Sequence, residues 1–391
     1  HFPPGELIKY FESIGMSFGR HQNAFTSFDQ TTYFLALPDT KPATMEKGLL
    51  CLSDYAFRMS LRPAEIEKEI GVVLEEIRAR AGLQQRLRDQ QVPVYAPGSR
   101  LAERMPIGKE EVIRNATRKL VAQYYNTWYR PGLTTLIVVG DVEPEDVVPL
   151  IEKQFGAWEQ HRDPPAPHAP GIESYTSQRS ALITDPEQET ADFSLVTVTK
   201  AERKHTTAEF RRELVDALGN WILSRRLRDM VEQGQAPFQS AGAWKHYMFN
   251  AGYMAGVHAD GEPQQAEAIL AALARETQRA RQHGFLAQEL EQAVKSTLAA
   301  RKQAVETEST RSARGVAGTL NAAAAAGRLP MSAAQRLKLT KDVIHQITLD
   351  QVNAAFAANF PRDARLVMAV LPADHETGLT EAGLLEVVAK A

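Results

Sequence analysis

Residues 117–139 and 348–370 of this 391-residue chain repeat one another without a gap. Thr117 pairs with Thr348, Val121 with Val352, Tyr125 with Phe356, Tyr129 with Phe360 and Val139 with Val370, always 231 positions apart. Each copy reads as an amphipathic helix, a proline-containing turn and an apolar strand, because helical spacing gives way to a continuous apolar run after the proline. A duplicated helix–turn–strand unit predicts two domains of one design. Between the copies, His161 to Gly171 reads HRDPPAPHAPG, too rich in proline to sustain a helix or a ladder, and is predicted to be a semi-rigid linker. The predicted domains are therefore 1–162 and 173–391, joined by the linker 163–172. His161 and His168 sit where the backbone offers no fixed geometry and read as linker residues, not metal ligands.

Patterning in the first domain predicts helices over 5–14, 44–58, 64–81, 109–126 and 143–155. It also predicts a β-hairpin over 17–37, a long loop over 82–108 and a buried strand over 133–140. The expected fold class is α+β: two homologous domains, each an antiparallel-rich sheet with helices packed on one face. The turn Gly140-Asp141-Val142-Glu143-Pro144 lacks the glycine pattern that cradles a nucleotide phosphate. Basic and acidic residues number 45 and 48 and are well mixed, so no basic face for a nucleic acid is expected. The longest apolar run, Leu133 to Val139, is too short for a membrane span. Cys51 is the single cysteine; it excludes an internal disulfide and reads as a small core residue. The opening His1-Phe2-Pro3-Pro4-Gly5 reads as the product of processing or truncation, with further sequence expected upstream.

The segment 64–78 carries Ile66, Ile70, Val73, Leu74 and Ile77 on one helical stripe. At about 100° per residue, Glu69 and Glu76 share one flank of that stripe, two turns apart, while Glu75 points nearly opposite. Two readings fit: solvated border glutamates, or carboxylates held at the shoulder of a buried stripe and directed into a cleft. Aligning Ile66, Ile70 and Leu74 with Leu290, Val294 and Leu298 gives an offset of 224, which sets Ala293 opposite Glu69 and Ala300 opposite Glu76. The second copy keeps the stripe and lacks both carboxylates.

These residues resemble the pitrilysin/insulinase family of zinc peptidases, the inverted zincins. The family carries His-x-x-Glu-His on one helix and a glutamate zinc ligand on a later helix, preceded by a second glutamate. Glu69 and Glu76 match that pair, although Ile70 stands where the family often has arginine. Asn23-Ala24-Phe25-Thr26 resembles the family's edge strand beside the zinc, and Pro106-Ile107-Gly108 with Tyr129-Arg130-Pro131 through Asp141 resembles the end of its first domain. The opening HFPPGEL and Phe18-Gly19-Arg20 look most like the large, often exported bacterial members.

The resemblance implies a zinc endopeptidase acting on peptides or small unfolded proteins, with this chain as the amino-terminal half of a large member. In it Glu76 is a zinc ligand, Glu69 a carboxylate that orients a ligand histidine, and Asn23, Ala24, Phe25 and Thr26 bind substrate as an added strand. A second two-domain half, in the same polypeptide or another subunit, is the implied partner. Two departures qualify it. No His-x-x-Glu-His occurs in the 391 residues, so this chain alone is expected to be inactive and to bind zinc weakly or not at all. In the second domain Phe238 stands where a catalytic pairing would need tyrosine, ten positions after Arg228, and phenylalanine donates no hydrogen bond. The alternative is a non-catalytic homologue that binds peptides or serves as an assembly partner. Localisation stays open, with the periplasm favoured by the exported relatives.

Overall fold

The computed structural model describes residues 1–391 other than 4, 160–162, 164, 167, 249, 375 and 376; His161 lies outside the described residues. In chain order the elements begin with α1 (Glu6–Ser13), the strands β1 (Gln22–Thr26) and β2 (Thr31–Leu35), α2 (Pro42–Phe57) and α3 (Pro63–Ala79). Then come α4 (Leu83–Tyr95), α5 (Arg100–Glu103), α6 (Glu110–Arg114), α7 (Arg118–Trp128) and α8 (Pro144–Phe155). The remainder holds β3 (Arg179–Asp185), β4 (Ala191–Lys200), α9 (Thr207–Glu232), β5 (Ser240–Met248), β6 (Gly252–Gly261), α10 (Ala266–His283) and α11 (Ala287–Glu306). It closes with α12 (Ala313–Ala325), α13 (Ala333–Ile344), α14 (Leu349–Asn359), β7 (Leu366–Pro372) and α15 (Glu381–Lys390).

Two compact units result. One comprises His1–Arg80, Arg104–His168 and Thr310–Pro330; the other comprises Ala81–Glu103, Ala169–Ser309 and Met331–Ala391.

The second unit is built around β7. Its sheet runs β3-β7-β4-β6-β5, with β7 parallel to β3 and every other pairing antiparallel. All seven residues of β7 are buried. Side chains alternate across a strand. Val367, Ala369 and Leu371 therefore join the large core under α9, α10, α14 and α15, while Leu366, Met368 and Val370 face the opposite side with Leu87 of α4. A polar clasp ties the sheet to the helices: Lys245 Nζ donates to Asp216 Oδ2 and Asn359 Oδ1, both at 2.8 Å, and Asn359 Nδ2 donates to Asp216 Oδ1 at 2.8 Å. The helical layer lies on one face, as expected, and among the described helices α4 packs on the other.

That α4 exists corrects the long loop predicted over 82–108. Its sequence, LQQRLRDQQVPVY, favours a helix by its leucines, glutamines and arginines, but its apolar residues are sparse and Pro93 interrupts it, so it shows no clear buried stripe. Tertiary contacts supply the rest. Leu83, Leu87, Val94 and Tyr95 pack on the sheet, and Arg86 grips the buried Asp185 through two parallel bonds of 2.8 and 2.7 Å.

The first unit repeats the second, element by element, over part of its length. Residues 118–128 of α7 and 349–359 of α14 correspond at the 231 offset to the residue. Thr117 and Thr348 each cap their helix by accepting a 3.3 Å bond from the N–H three residues on. Tyr125–Tyr129 and Phe356–Phe360 make the same ring pair, centroids 4.6 Å apart in both. At the other offset, 224, α2 and α3 begin where α10 and α11 begin. The β1–β2 hairpin stands where β5–β6 stand in the order of elements.

Two local predictions change. The helix expected over 109–126 is broken between α6 and α7, because Thr117 caps a new helix there. The strand expected over 133–140 belongs to no ladder: after a short 3-10 turn at Pro131–Leu133, residues 134–139 run on outside any described strand, with Leu133 46% and Val138 41% exposed. The physical reason is the lack of neighbours. β7 is flanked by β3 and β4, and the first unit has no described counterpart of either. What the first unit does pack is a small core of Phe11, Met16 and Cys51, with Leu35, Leu37 and Tyr55 against it. Cys51 is fully buried, as its apolar setting predicts, and burial pushes its thiol up to about 11.

The Arg86–Asp185 grip makes a pH prediction. Hydrogen bonds from Arg86, and then from the Glu187 N–H, hold the Asp185 carboxyl down at about 2. A depressed carboxyl stabilises the fold above its ordinary titration range and loses that contribution as the pH falls through its folded value. Asp185→Asn should lower the melting temperature near neutral pH, and the gap to the unsubstituted chain should close between pH 4 and about 2. Calorimetry across that range checks it; a gap independent of pH would contradict the assignment.

Candidate functional site: the carboxylate face of α3 and the edge of β1

Helix α3 starts at Pro63, whose fixed φ suits a first helical position. Its stripe is only partly covered: Leu74 is buried, whereas Ile66, Ile70, Val73 and Ile77 remain half-buried. Glu69 is exposed on the flank of this stripe, and Glu76 is half-buried two turns further on. Glu76 pairs with Arg80, one turn away, and Glu75 on the far side pairs with Arg78. Such surface pairs contribute about 0–1 kcal/mol, so neither locks its carboxylate against a more highly charged cation.

A zinc ion held by protein takes at least three ligands in fixed geometry. Among the described residues no group of three histidine, cysteine, aspartate or glutamate side chains gathers in a way that could hold a metal. Glu76 offers one carboxylate, already facing a guanidinium. The donor set of this chain alone therefore does not fit zinc. The histidines are dispersed: His21 Nδ1 accepts from the Ser17 N–H at 3.0 Å, His246 stacks on Trp244 with centroids 5.2 Å apart, and His258 is exposed on β6.

The hairpin presents the second predicted feature. Among the described strands β1 pairs only with β2; beyond Gln22, which bridges to Phe18, its other edge has no strand neighbour. Of its residues Gln22 is buried and Asn23, Ala24, Phe25 and Thr26 are exposed, Phe25 to 46%. Asn23 is locked at both ends of its amide: Nδ2 donates to the Gly19 carbonyl at 3.2 Å, and Oδ1 accepts from the Ala24 N–H at 2.8 Å. Thr26 and Thr31 join their hydroxyls across the ladder at 3.2 Å. An open edge bearing an exposed aromatic is the arrangement that accepts an added strand.

A lone hairpin is marginal in water, and side chains that sequence reading passed over hold this one. Tyr33 and Tyr129 share a 2.6 Å hydroxyl bond, and the Tyr125 hydroxyl donates to the Tyr55 carbonyl at 2.9 Å. Gln22 Nε2 donates to the Tyr55 hydroxyl at 2.5 Å. Burial raises the hydroxyl pKa of Tyr33, Tyr55, Tyr125 and Tyr129, so all four stay neutral donors through the physiological range. From α12, Arg314 Nη1 donates to the Arg20 carbonyl at 3.0 Å, its guanidinium lies 4.8 Å from the Phe34 ring, and Asn321 Oδ1 accepts from Thr32 at 3.3 Å. No sequence signal groups these tyrosines, which come from separate elements, and α12 carries none either, because it lies 280 or more positions along the chain.

The second unit does different work at the matching places. Phe238 is 3% exposed in the large core. Arg228 is exposed, and Arg226 is bound by Glu289 through two 2.6 Å bonds. Ala293, opposite Glu69 in the repeat, has no exposed surface at all, and Ala300, opposite Glu76, is exposed.

Comparison with known proteins accords with these features. The insulinase (peptidase family M16) profile matches residues 1–96, and the peptidase M16 inactive-domain profile matches residues 115–297. The probable zinc protease PqqL of Escherichia coli (strain K12) is 25% identical over 356 residues, covering 90% of this chain and 38% of that protein. A zinc protease PQQL-like protein of Arabidopsis thaliana is 29% identical over 234 residues, 60% of this chain and 24% of that protein. The chain thus spans less than half the length of these relatives. Among solved structures, the first half of the periplasmic protease PqqL from Escherichia coli superposes with a TM-score of 0.92 at 22% identity, over 99% of this chain and 83% of that one; this is a likeness of fold. With two profiles of one peptidase family covering most of its length and zinc proteases as its relatives, the chain belongs to the insulinase (M16) family.

Proposed function

We propose that this chain is the amino-terminal portion of a zinc endopeptidase that cuts peptides or small unfolded proteins, and that it does not hydrolyse peptides alone. The observation that carries this is the partial repeat. β5, β6, α10, α11 and α14 of the second unit have counterparts in β1, β2, α2, α3 and α7, whereas β3, β4 and α9 have none among the described residues. In the second unit α11 packs on α9, with Ala293 wholly buried in the core they share. By the same arrangement, Glu69 of α3 would look toward a counterpart of α9, with Glu76 at the open end of that flank, as exposed Ala300 is in the second unit. A helix supplied there would bring the further donors that zinc requires. Glu76 is then a metal ligand, and Glu69 orients one of the supplied ligands. Asn23, Ala24, Phe25 and Thr26 align the substrate backbone.

The limits 1–162 and 173–391, with 163–172 between them, are proposed as the covalent bounds of the two repeats. Peptide is the substrate class, and a second two-domain half, in cis or in trans, is the partner that would enclose it. The periplasm is the proposed compartment, by analogy with the Escherichia coli relative. No helix among the described residues is long and apolar enough to cross a membrane.

A second reading is a non-catalytic family member that binds peptides or assembles with a catalytic partner; the inactive-domain profile over residues 115–297 favours it. Metal analysis separates the two. The chain by itself should retain no stoichiometric zinc after gel filtration. The full-length protein should retain one per catalytic unit on the first reading and none on the second. Tight, stoichiometric zinc in this chain would overturn the donor-set argument.

Within the full-length protein, Glu76→Gln should lose zinc and cleave a reporter peptide far more slowly while its circular dichroism stays unchanged, since the amide keeps size and helix propensity. Glu69→Gln should cost about 10–100-fold, typical of a group that orients a ligand. Glu75→Gln, on the opposite face, should match the unsubstituted enzyme. Equal rates for the Glu75 and Glu76 variants would remove the ligand assignment.

A further inference from the structure

Three arginines lie at one end of the second unit's helical layer: Arg365 is buried, Arg281 half-buried and Arg362 exposed. Arg365 stands just before β7 and is 6% exposed. Strand alternation sets its direction: it lies two residues before Val367, which faces the large helical core, so its side chain enters the helical side of the sheet. Arg281 lies in the last turn of α10. Arg362 follows α14 and reaches with Nη2 to 3.5 Å from the carbonyl of Ala389, in the last turn of α15.

The Nε atoms of Arg365 and Arg281 are both buried without a hydrogen-bond acceptor among the described residues. Burial, then repulsion by Arg362 and Arg281, pulls the Arg365 guanidinium down to about 10, against a smaller opposing effect of Asp363. The ends of α10 and α15 carry partial negative charge, yet no helix carbonyl reaches either Nε. A buried N–H left without an acceptor carries a desolvation cost, and here two arginines each bury one. The planar fork of each group fits an oxyanion.

We propose that Arg281, Arg362 and Arg365 form a binding site for a small oxyanion: a sulfate, a phosphate or a carboxylate. The site lies outside the α3–β1 region and depends on no peptidase reading. It ties the ends of α10, α14 and α15 to the start of β7 through one shared negative group.

Thermal unfolding with sodium sulfate against sodium chloride at matched ionic strength tests it. Sulfate stabilises proteins generally and without saturation, so the saturable part of the shift is the readout. The unsubstituted chain should show a saturable rise with sulfate, and phosphate should act alike. Arg365→Met should weaken apparent sulfate affinity by about 10–100-fold, the loss of one charged hydrogen-bonding group. The same variant without sulfate should be no less stable, because a buried N–H without an acceptor has gone. Arg281→Met should repeat the effect should Arg365→Met fail to fold. Arg179→Met removes another buried, unpartnered guanidinium atom, on the opposite face of the sheet, and should leave the sulfate response intact.

Run on the full-length protein, the titration distinguishes the source. A retained response marks a free anion. Loss of the response, with Arg365→Met now destabilising, marks a carboxylate from the rest of the polypeptide. Equal shifts with sulfate and chloride in the chain, or an unchanged response in both Arg365→Met and Arg281→Met, would overturn the site.

Discussion

The two-sided pairing of β7 is the constraint on which the second unit rests. Every backbone N–H and carbonyl of a buried strand needs a partner, and β7 meets this with β3 on one side and β4 on the other. Once both edges are satisfied, its two faces are free to nucleate two different cores, a large one under the helices and a smaller one under α4. The same sequence pattern 231 positions earlier keeps its helix, its cap and its aromatic pair and loses only its ladder. Full burial of a side chain such as Leu, Ile or Val is worth about 1.5–3 kcal/mol. A run of Leu136, Ile137, Val138 and Val139 left partly open therefore has a strong drive to accept flanking strands.

This contrast explains what the sequence reveals and what it withholds. A helix is closed by its own hydrogen bonds, so α7 and α14 are legible from spacing and one threonine each. A strand is only half specified by its own residues: alternation or apolarity says that it prefers burial, and its neighbours decide whether burial occurs. The segment 133–140 was readable as a strand and could not announce that its neighbours are missing. Helix α4 failed in the other direction. Its sparse apolar residues and Pro93 hide a helix that its leucines, glutamines and arginines favour, and Arg86 ties it to a buried aspartate 99 positions away. The fold class and the repeat were legible in patterning; α4 and the embrace of the hairpin by α12 depend on contacts distant in sequence.

The candidate site divides the same way. That Glu69 and Glu76 share a flank follows from the helical period, and their exposure agrees with it. The repeat adds what one copy cannot. A fully buried alanine opposite Glu69 means that this position, in a complete unit, faces the packed interior between two helices. A carboxylate there has to be met by a positive or hydrogen-bonding group. The second copy removes the difficulty with a methyl group; the first keeps the acid. The tyrosines beneath β1 were invisible as a group, because Tyr33, Tyr55, Tyr125 and Tyr129 come from separate elements and only the fold brings their hydroxyls together.

Amide hydrogen exchange on this chain tests the central claim most directly. If residues 134–139 are a central strand without its neighbours, their amides exchange with little protection, while those of Leu366–Pro372 exchange only as fast as the second unit opens globally. Comparable, strong protection of both segments would contradict the account, since the first would then have found pairing partners that the repeat does not supply.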